Sequence, residues 1–248
     1  MRIITLSRGA VHMGPLILVN PQHPVAADYL AGVRLVSAAD GVLLEATAAN
    51  LLNACLSALG SNGQILCISG FRAHTEQARL YETAMVEYGP AFTTQYVAKP
   101  GTSEHETGLA ADLGQTSENV DFIRPAFPHD GICGQFAHLA ADYGFIRRYA
   151  ADKQVYTGIA DEPWHFRYVG RPHAQVMAKL GLCLEEYIEF LKAYKYMGTH
   201  YLTIDHGRET EIFYLRAGKE QTILSMPDKG YFQLSGNNDD GFIVTYWR

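Results

Sequence analysis

Apolar residues recur every three to four positions in several stretches of the chain, which is typical of amphipathic helices. One such helix is predicted over residues 46–60, and Gly60 marks its end. The same periodicity predicts helices at His74–Tyr88, closed by Gly89-Pro90, and at Gly134–Tyr143 and Glu185–Tyr194.

Short apolar runs bounded by turn residues predict strands between and after these helices. Ile65–Ile68 is one such run, and Leu109–Leu113 is another that would carry Asp112 inward. From Tyr196 onward, helical periodicity gives way to short runs separated by Gly, Asn and Asp. These runs are Tyr201–Ile204, Glu211–Leu215, Thr222–Leu224, Tyr231–Leu234 and Phe242–Tyr246.

The elements together predict an α+β fold with mixed helices and antiparallel sheet, in two parts. Residues 1–195 would form the main domain and residues 196–248 a β-rich C-terminal extension. The polar stretch Gln115–Gly134 is long for a plain connection and is either a substrate gate or an ordered surface loop.

The composition is that of a globular protein with a sizeable core. Of the 248 residues, 48% are hydrophobic and 19% are charged, so extensive disorder is not expected. The formal charge of -6 argues against a nucleic-acid partner. Four widely spaced cysteines are expected to be free, buried thiols: Cys55, Cys67, Cys133 and Cys183.

The N-terminal residues do not look like a targeting segment. Met1–Arg8 lacks a long apolar stretch, and Pro15–Val19 is too short to cross a bilayer. If this is the native start, we expect a cytoplasmic protein without a membrane partner.

Two separated stretches carry the residue types of a hydrolytic metal site. The first runs from Ser103 to Asp112 and contains His105, and the second is Glu162-Pro-Trp-His165. Two imidazoles and one carboxylate suit zinc, which in hydrolases keeps a fourth position open for water. The spacing is not the more familiar His-Glu-x-x-His, so an aspartate bonded to backbone and two unrelated histidines remain the alternative.

These stretches resemble the D-alanyl-D-alanine carboxypeptidase and dipeptidase family, which includes the VanX, VanY and VanXY vancomycin-resistance peptidases. The resemblance rests on Ser-x-His-x-x-Gly-x-Ala-x-Asp followed by Glu-x-Trp-His, and is strongest to VanXY-like bifunctional members. Further matching motifs, in the same order along the chain, are Leu16–Asn20, Ser69–Arg72, Tyr143–Arg147, Thr157-Gly158 and Glu162–Gly170.

The resemblance implies a zinc-peptidase core in which His105, Asp112 and His165 hold zinc. Glu162 would be the general base and then the acid, brought near the metal by a helical turn or a tight loop. Arg72 would stabilise the developing oxyanion, although it could instead bind a substrate carboxylate or pair with a structural acid.

Two further residues are candidates for substrate binding. The resemblance implies that Ser103 contacts the terminal carboxylate of the substrate, whereas by composition alone it is a turn serine. Gln77 matches a glutamine on the substrate side in the family, or it is an exposed helix residue. Departures from the family pattern at Phe71, Ala73, Ala150 and Ile159–Asp161 bear on substrate preference, since the metal set is intact.

The implied function is a zinc-dependent D,D-peptidase that removes C-terminal D-Ala from D-Ala-D-Ala, from muramyl-pentapeptide precursors, or from both. Its partners would be small peptides ending in D-Ala, and the sequence leaves its oligomeric state open. The alternatives are an L,D-carboxypeptidase, a peptidoglycan endopeptidase, or a non-catalytic zinc-binding domain like the Hedgehog signalling domains.

Overall fold

The computed structural model describes residues 1–248, which form twelve strands and seven α-helices. The strands are β1 Arg2–Ser7, β2 Leu35–Ser37, β3 Leu43–Glu45, β4 Ile65–Ser69, β5 Ala110–Gln115, β6 Phe145–Tyr149, β7 Glu162–Tyr168, β8 Tyr201–Asp205, β9 Arg208–Arg216, β10 Gln221–Met226, β11 Tyr231–Gly236 and β12 Gly241–Trp247. The helices are α1 Ala46–Leu59, α2 His74–Glu87, α3 Gly89–Tyr96, α4 Gly131–Leu139, α5 Gln154–Thr157, α6 His173–Leu180 and α7 Leu184–Leu191.

The chain divides into two compact units, Val19–Cys183 and Met1–Leu18 with Leu184–Arg248. The first unit contains a four-stranded antiparallel sheet in the order β4-β5-β7-β6. Strands β5 and β7 are therefore central, with a neighbour on each side. Central strands are held along both edges, which makes them a rigid place from which to present functional side chains.

Helix α1 shows why the predicted elements form where they do. The Glu45 carboxylate accepts hydrogen bonds from the backbone N–H groups of Thr47 and Ala48 and so caps the first turn. Gly60 ends the helix in the left-handed conformation at φ 65°. The buried face of α1 packs into a core shared with α4 and the sheet, which includes Leu52, Cys55, Phe136, Phe145 and Phe166.

The predicted elements of this unit are confirmed, with shifts at their ends. Gly89-Pro90 was expected only to close α2, but it also begins α3, because proline is well tolerated in the first turn of a helix. Helix α4 begins three residues earlier than predicted, at Gly131, and ends at Leu139, where a 3-10 turn continues to Tyr143.

The second unit is dominated by β structure. All five predicted strands of the tail are present, four of them in an antiparallel sheet of order β11-β12-β9-β8. The fifth, β10, pairs with β1 at the N-terminus, Ile4 opposite Leu224. Residues 1–18 and 184–195 therefore group with the tail, whereas the sequence suggested a boundary after residue 195.

Two smaller features bear on the expectations from sequence. All four cysteines are buried and free, as predicted. None of the helices combines the length and the apolar composition that crossing a bilayer requires.

Candidate active site

The three expected metal ligands, 60 residues apart at most in the sequence, converge within the first unit. Asp112 on β5 and His165 on β7 are direct partners in the antiparallel ladder, so their side chains leave adjacent points of the two central strands. His105 lies in a 3-10 turn, Glu104–Thr107, just before β5. The ligand atoms of the three residues all lie within 4.8 Å of one another, and all three side chains are buried.

The distances identify the nitrogen of each histidine that faces the carboxylate. His105 Nε2 is 3.1 Å from Asp112 Oδ2, and His165 Nδ1 is 3.0 Å from Asp112 Oδ1. Although burial opposes it, the two histidines hold the pKa of Asp112 well below its usual value. The carboxylate is therefore ionised, as a metal ligand must be.

Irregular ladders lie directly beside these residues. Between β4 and β5 the register shifts at Ser69, whose partner is Asp112. Between β6 and β7 it shifts between the pairs Arg147–Phe166 and Tyr149–Glu162. Such bulges bend a strand and redirect side chains, and they are frequent next to active sites.

Two glycines allow the turn that carries His105 to approach its neighbours. Gly108 has φ 73°, and a Cβ there would lie 2.8 Å from Leu35 Cδ2. A Cβ on Gly70 would lie 2.5 Å from the carbonyl oxygen of Leu43. The Gly70 carbonyl in turn accepts a hydrogen bond from His105 Nδ1 at 2.7 Å, which leaves Nε2 of His105 for a metal.

A buried ionic cluster lies on the opposite side of His165 from Asp112. Glu104 Oε2 is 3.4 Å from His165 Nε2, and Glu104 Oε1 is 2.8 Å from both Arg148 Nε and Arg167 Nη1. Although burial opposes it, Arg148 and Arg167 hold the pKa of Glu104 far below its usual value. Sequence reasoning did not identify these three residues as part of the site.

This donor set fits a zinc ion. Two imidazole nitrogens and one carboxylate oxygen are ligands that zinc prefers, and three protein ligands are typical of catalytic zinc. Burial lowers the pKa of His105, which favours the neutral form that binds metal. Burial alone would lower the pKa of His165, but hydrogen bonds to Asp112 and Glu104 outweigh it and raise the pKa to about 10. A positive charge is thus favoured at this position, and a metal ion would supply it in place of the proton.

Glu162 is the second carboxylate beside His165. Its Oε2 lies 3.8 Å from His165 Nδ1, and the residue is only 6% exposed. The expected helical turn or tight loop is wrong: both residues lie on β7, where the irregular pairing with β6 breaks the simple alternation of faces. Burial raises the pKa of Glu162 to about 8.

Arg72 follows β4, as the sequence predicted, and two side chains hold its guanidinium. Nη1 donates to Gln77 Oε1 at 2.7 Å, and Nη2 donates to Ser69 Oγ at 2.9 Å. Gln77 is 1% exposed and its Nε2 donates to the carbonyl of Ala98, so the alternative of an exposed helix residue is wrong. Gln77 is therefore a buried hydrogen-bond partner of Arg72.

The expected site residues open onto one cavity of about 480 Å³, which is within the range of small-molecule sites. Its lining includes Arg72, Ser103, Glu162 and the three expected ligands. Trp164 also lines it while belonging to the hydrophobic core beneath. Phe122 and Ile123, from the irregular segment between β5 and α4, line another part of the cavity.

Comparisons with known proteins agree with this geometry. Residues 41–171 match the family described as "VanY: D-alanyl-D-alanine carboxypeptidase". The bifunctional D-Ala-D-Ala dipeptidase and D-Ala-D-Ala carboxypeptidase VanXYC of Enterococcus gallinarum is 41% identical over 183 residues, 72% of this chain and 96% of that protein.

Two solved structures are similar as well. The crystal structure of the vancomycin resistance D,D-dipeptidase VanXYg with a D-Ala-D-Ala phosphinate analogue has a TM-score of 0.96 at 43% identity, covering 100% of this chain and 99% of that one. A mutant of the vancomycin resistance D,D-pentapeptidase VanY, in complex with Zn(II), has a TM-score of 0.61 at 33% identity, covering 70% of this chain and 98% of that one.

Proposed function

The chain belongs to the VanY family of D-alanyl-D-alanine carboxypeptidases, and we propose that it is a zinc-dependent D,D-peptidase that releases C-terminal D-Ala. Its substrates would be D-Ala-D-Ala, muramyl-pentapeptide precursors, or both, as in the glycopeptide-resistance enzymes that it resembles. The single observation that carries the proposal is the convergence of His105, Asp112, His165 and Glu162 on one cavity.

We assign the metal to the side chains of His105, Asp112 and His165. A zinc ion bound there would act as a Lewis acid toward the scissile carbonyl and make water a stronger nucleophile at neutral pH. The carboxylate of Glu162 takes a proton from the attacking water and later delivers it to the amine of the departing D-Ala. Its position 3.8 Å from His165 Nδ1 supports this role, because it lies beside the ligand atoms without being one of them.

Arg72 stabilises the negative charge that develops on the carbonyl oxygen of the substrate. A guanidinium held by Gln77 and Ser69 is oriented before the reaction, so little reorganisation is needed when the charge forms. We therefore propose that Gln77 contributes through Arg72 and does not itself contact the substrate.

Ser103 is the candidate contact for the terminal carboxylate of the substrate. It is buried, lines the same cavity as the expected ligands and lies two residues before His105, which supports a contact with a dipeptide bound there. All of these residues belong to the unit Val19–Cys183.

The cytoplasmic location stays a prediction, which fractionation of the native cells would test.

The decisive experiment measures D-Ala release by the zinc-loaded protein from D-Ala-D-Ala and from UDP-muramyl-pentapeptide. Release from both substrates is expected of a bifunctional enzyme, while release from one alone identifies a dipeptidase or a carboxypeptidase. Removal of zinc by a chelator should abolish release and added zinc should restore it. Glu162→Ala serves as the control for contaminating peptidases.

Absence of release from either substrate would contradict the D,D-peptidase proposal. Muropeptides ending in an L,D bond and cross-linked peptides would then be tested, since the same residues suit the alternative peptidase activities. Tight zinc binding without hydrolysis of any of these peptides would indicate the non-catalytic zinc-binding domain.

A further inference from the structure

Glu104 is an acidic side chain in the interior, in contact with a residue of the metal site. The exposed fractions of Glu104, Arg148 and Arg167 are 2%, 2% and 0%. Burying three ionisable side chains is costly unless the charges are well paired, so such clusters are only weak evidence of a role in stability. The contact with His165 suggests a role beyond stability.

The two oxygens of Glu104 have different neighbours. Oε1 accepts from Arg148 Nε at 2.8 Å and lies 2.8 Å from Arg167 Nη1. Oε2 lies 3.4 Å from His165 Nε2. The arginines come from β6 and β7 and the glutamate from the turn before β5, so three elements fix this carboxylate relative to the imidazole.

We propose that Glu104 is the positioning residue for His165 and thereby controls the affinity of the site for zinc. An ionised carboxylate is an acceptor only, so it requires a proton on Nε2 of His165. Nδ1, which lies 3.0 Å from Asp112, is then the nitrogen left to bind the metal. This inference rests on the metal-dependent function proposed above.

Arg148 and Arg167 keep Glu104 in this role. Both contact Oε1 at 2.8 Å, which fixes the orientation of the carboxylate so that Oε2 is the oxygen that faces His165 Nε2.

The variant Glu104→Gln tests the proposal sharply because it preserves shape and reverses the chemistry at one atom. The amide oxygen is expected to stay with the two arginines, which puts the amide nitrogen, a donor, where Oε2 accepted from His165 Nε2. That arrangement favours an unprotonated Nε2 and a proton on Nδ1, the atom required for zinc. We expect the Kd for zinc, measured by competition with a chelator, to rise about 10–100-fold.

Glu106→Gln is the matched control. Glu106 lies in the same 3-10 turn and is also buried, but its carboxylate contacts His74 Nδ1 at 2.8 Å and the backbone N–H of Gly101 at 2.7 Å. Its zinc Kd should stay within about twofold of the wild-type value. A folded Glu104→Gln protein that binds zinc as tightly as Glu106→Gln would overturn the proposal.

A second measurement uses the wild-type protein and does not depend on the variant folding. In the zinc-loaded protein, side-chain nitrogen NMR should show His165 with a proton on Nε2 that exchanges slowly with water. A proton on Nδ1 in its place would overturn the proposal. If the wild-type protein binds no zinc at all, the metal-dependent function has failed instead, so the two failures are distinguishable.

Discussion

Two buried glutamates lie on opposite sides of His165 and differ in their electrostatic environment. Glu104 lies at Nε2, on what we call the inner side, and Glu162 lies near Nδ1, on what we call the cavity side. On the inner side, Arg148 and Arg167 hold the pKa of the buried Glu104 far below its usual value. On the cavity side, burial raises the pKa of Glu162 to about 8. For these two glutamates, the arginine neighbours and not burial itself decide whether the carboxylate stays charged or can exchange a proton near neutral pH.

The largest expected effect comes from removing the proposed proton acceptor on the cavity side. Glu162→Gln should lower kcat for D-Ala release by about 10³-fold, since general acid–base catalysis contributes on the order of 10²–10⁴-fold. Zinc content, measured by metal analysis, should stay at the wild-type ratio because Glu162 is not among the ligands. Turnover within tenfold of wild type would show that another group accepts the proton.

Arg72→Met should lower kcat by about 10²–10³-fold with little change in KM, because an oxyanion contact is made mainly in the transition state. Arg79→Met is the control, since Arg79 is an exposed arginine on the same helix that holds Gln77. A raised KM with unchanged kcat would instead mean that Arg72 binds a substrate carboxylate. Steady-state kinetics on one substrate distinguish the two roles.

Replacing each of the two glutamates by glutamine should have opposite effects on the free energy of unfolding when metal is absent. At pH 8 in the presence of a chelator, Glu104→Gln should lower the free energy of unfolding by about 3 kcal/mol, because a neutral amide no longer balances the positive charges of the two buried arginines. Glu162→Gln should raise it by on the order of 1–3 kcal/mol, because it removes a charge that the folded protein disfavours. Urea denaturation of the metal-free variants measures both values.

The contributions of Glu162 and Glu104 to the free energy of unfolding should change with pH in opposite directions. Glu162 has a folded pKa of about 8, above its unfolded value, so its neutral form stabilises the fold at low pH and this contribution is lost as pH rises toward 8. The increase in the free energy of unfolding caused by Glu162→Gln should therefore become smaller as the pH is lowered from 8 to 5. Glu104 has a lowered pKa, so its contribution is present at neutral pH and is lost only in acid. If both variants changed the free energy of unfolding in the same direction at pH 8, the contrast between the two glutamates would be wrong.

The cavity side of His165 could largely be predicted from sequence, and the inner side could not. His105, Asp112, His165 and Glu162 stand in two short motifs, and their residue types alone restrict the chemistry. The spacing of Glu162 and His165 does not predict how they come together, since their proximity depends on the irregular pairing of β7 with β6.

The residues on the inner side of His165 are determined by how β6 pairs with β7, which the sequence pattern does not show. Arg147 and Arg148 are adjacent on β6, so strand alternation requires that they point to opposite faces. Because both are arginine, no hydrophobic pattern indicates which of them is buried, and pairing with β7 leaves Arg147 exposed and Arg148 inside. Glu104 gives no stronger signal, since it lies in a turn with a second glutamate, Glu106, that is buried against different partners.

The smallest expected effect tests whether Gln77 acts only through Arg72. Gln77→Leu removes the acceptor for Arg72 Nη1 and should lower kcat about tenfold, while Gln95→Leu, an exposed glutamine on α3, should leave it unchanged. If the role is solely positioning, the double variant Arg72→Met/Gln77→Leu should be no slower than Arg72→Met, since the two losses are then not additive. A further tenfold loss in the double variant would mean that Gln77 contacts the substrate directly.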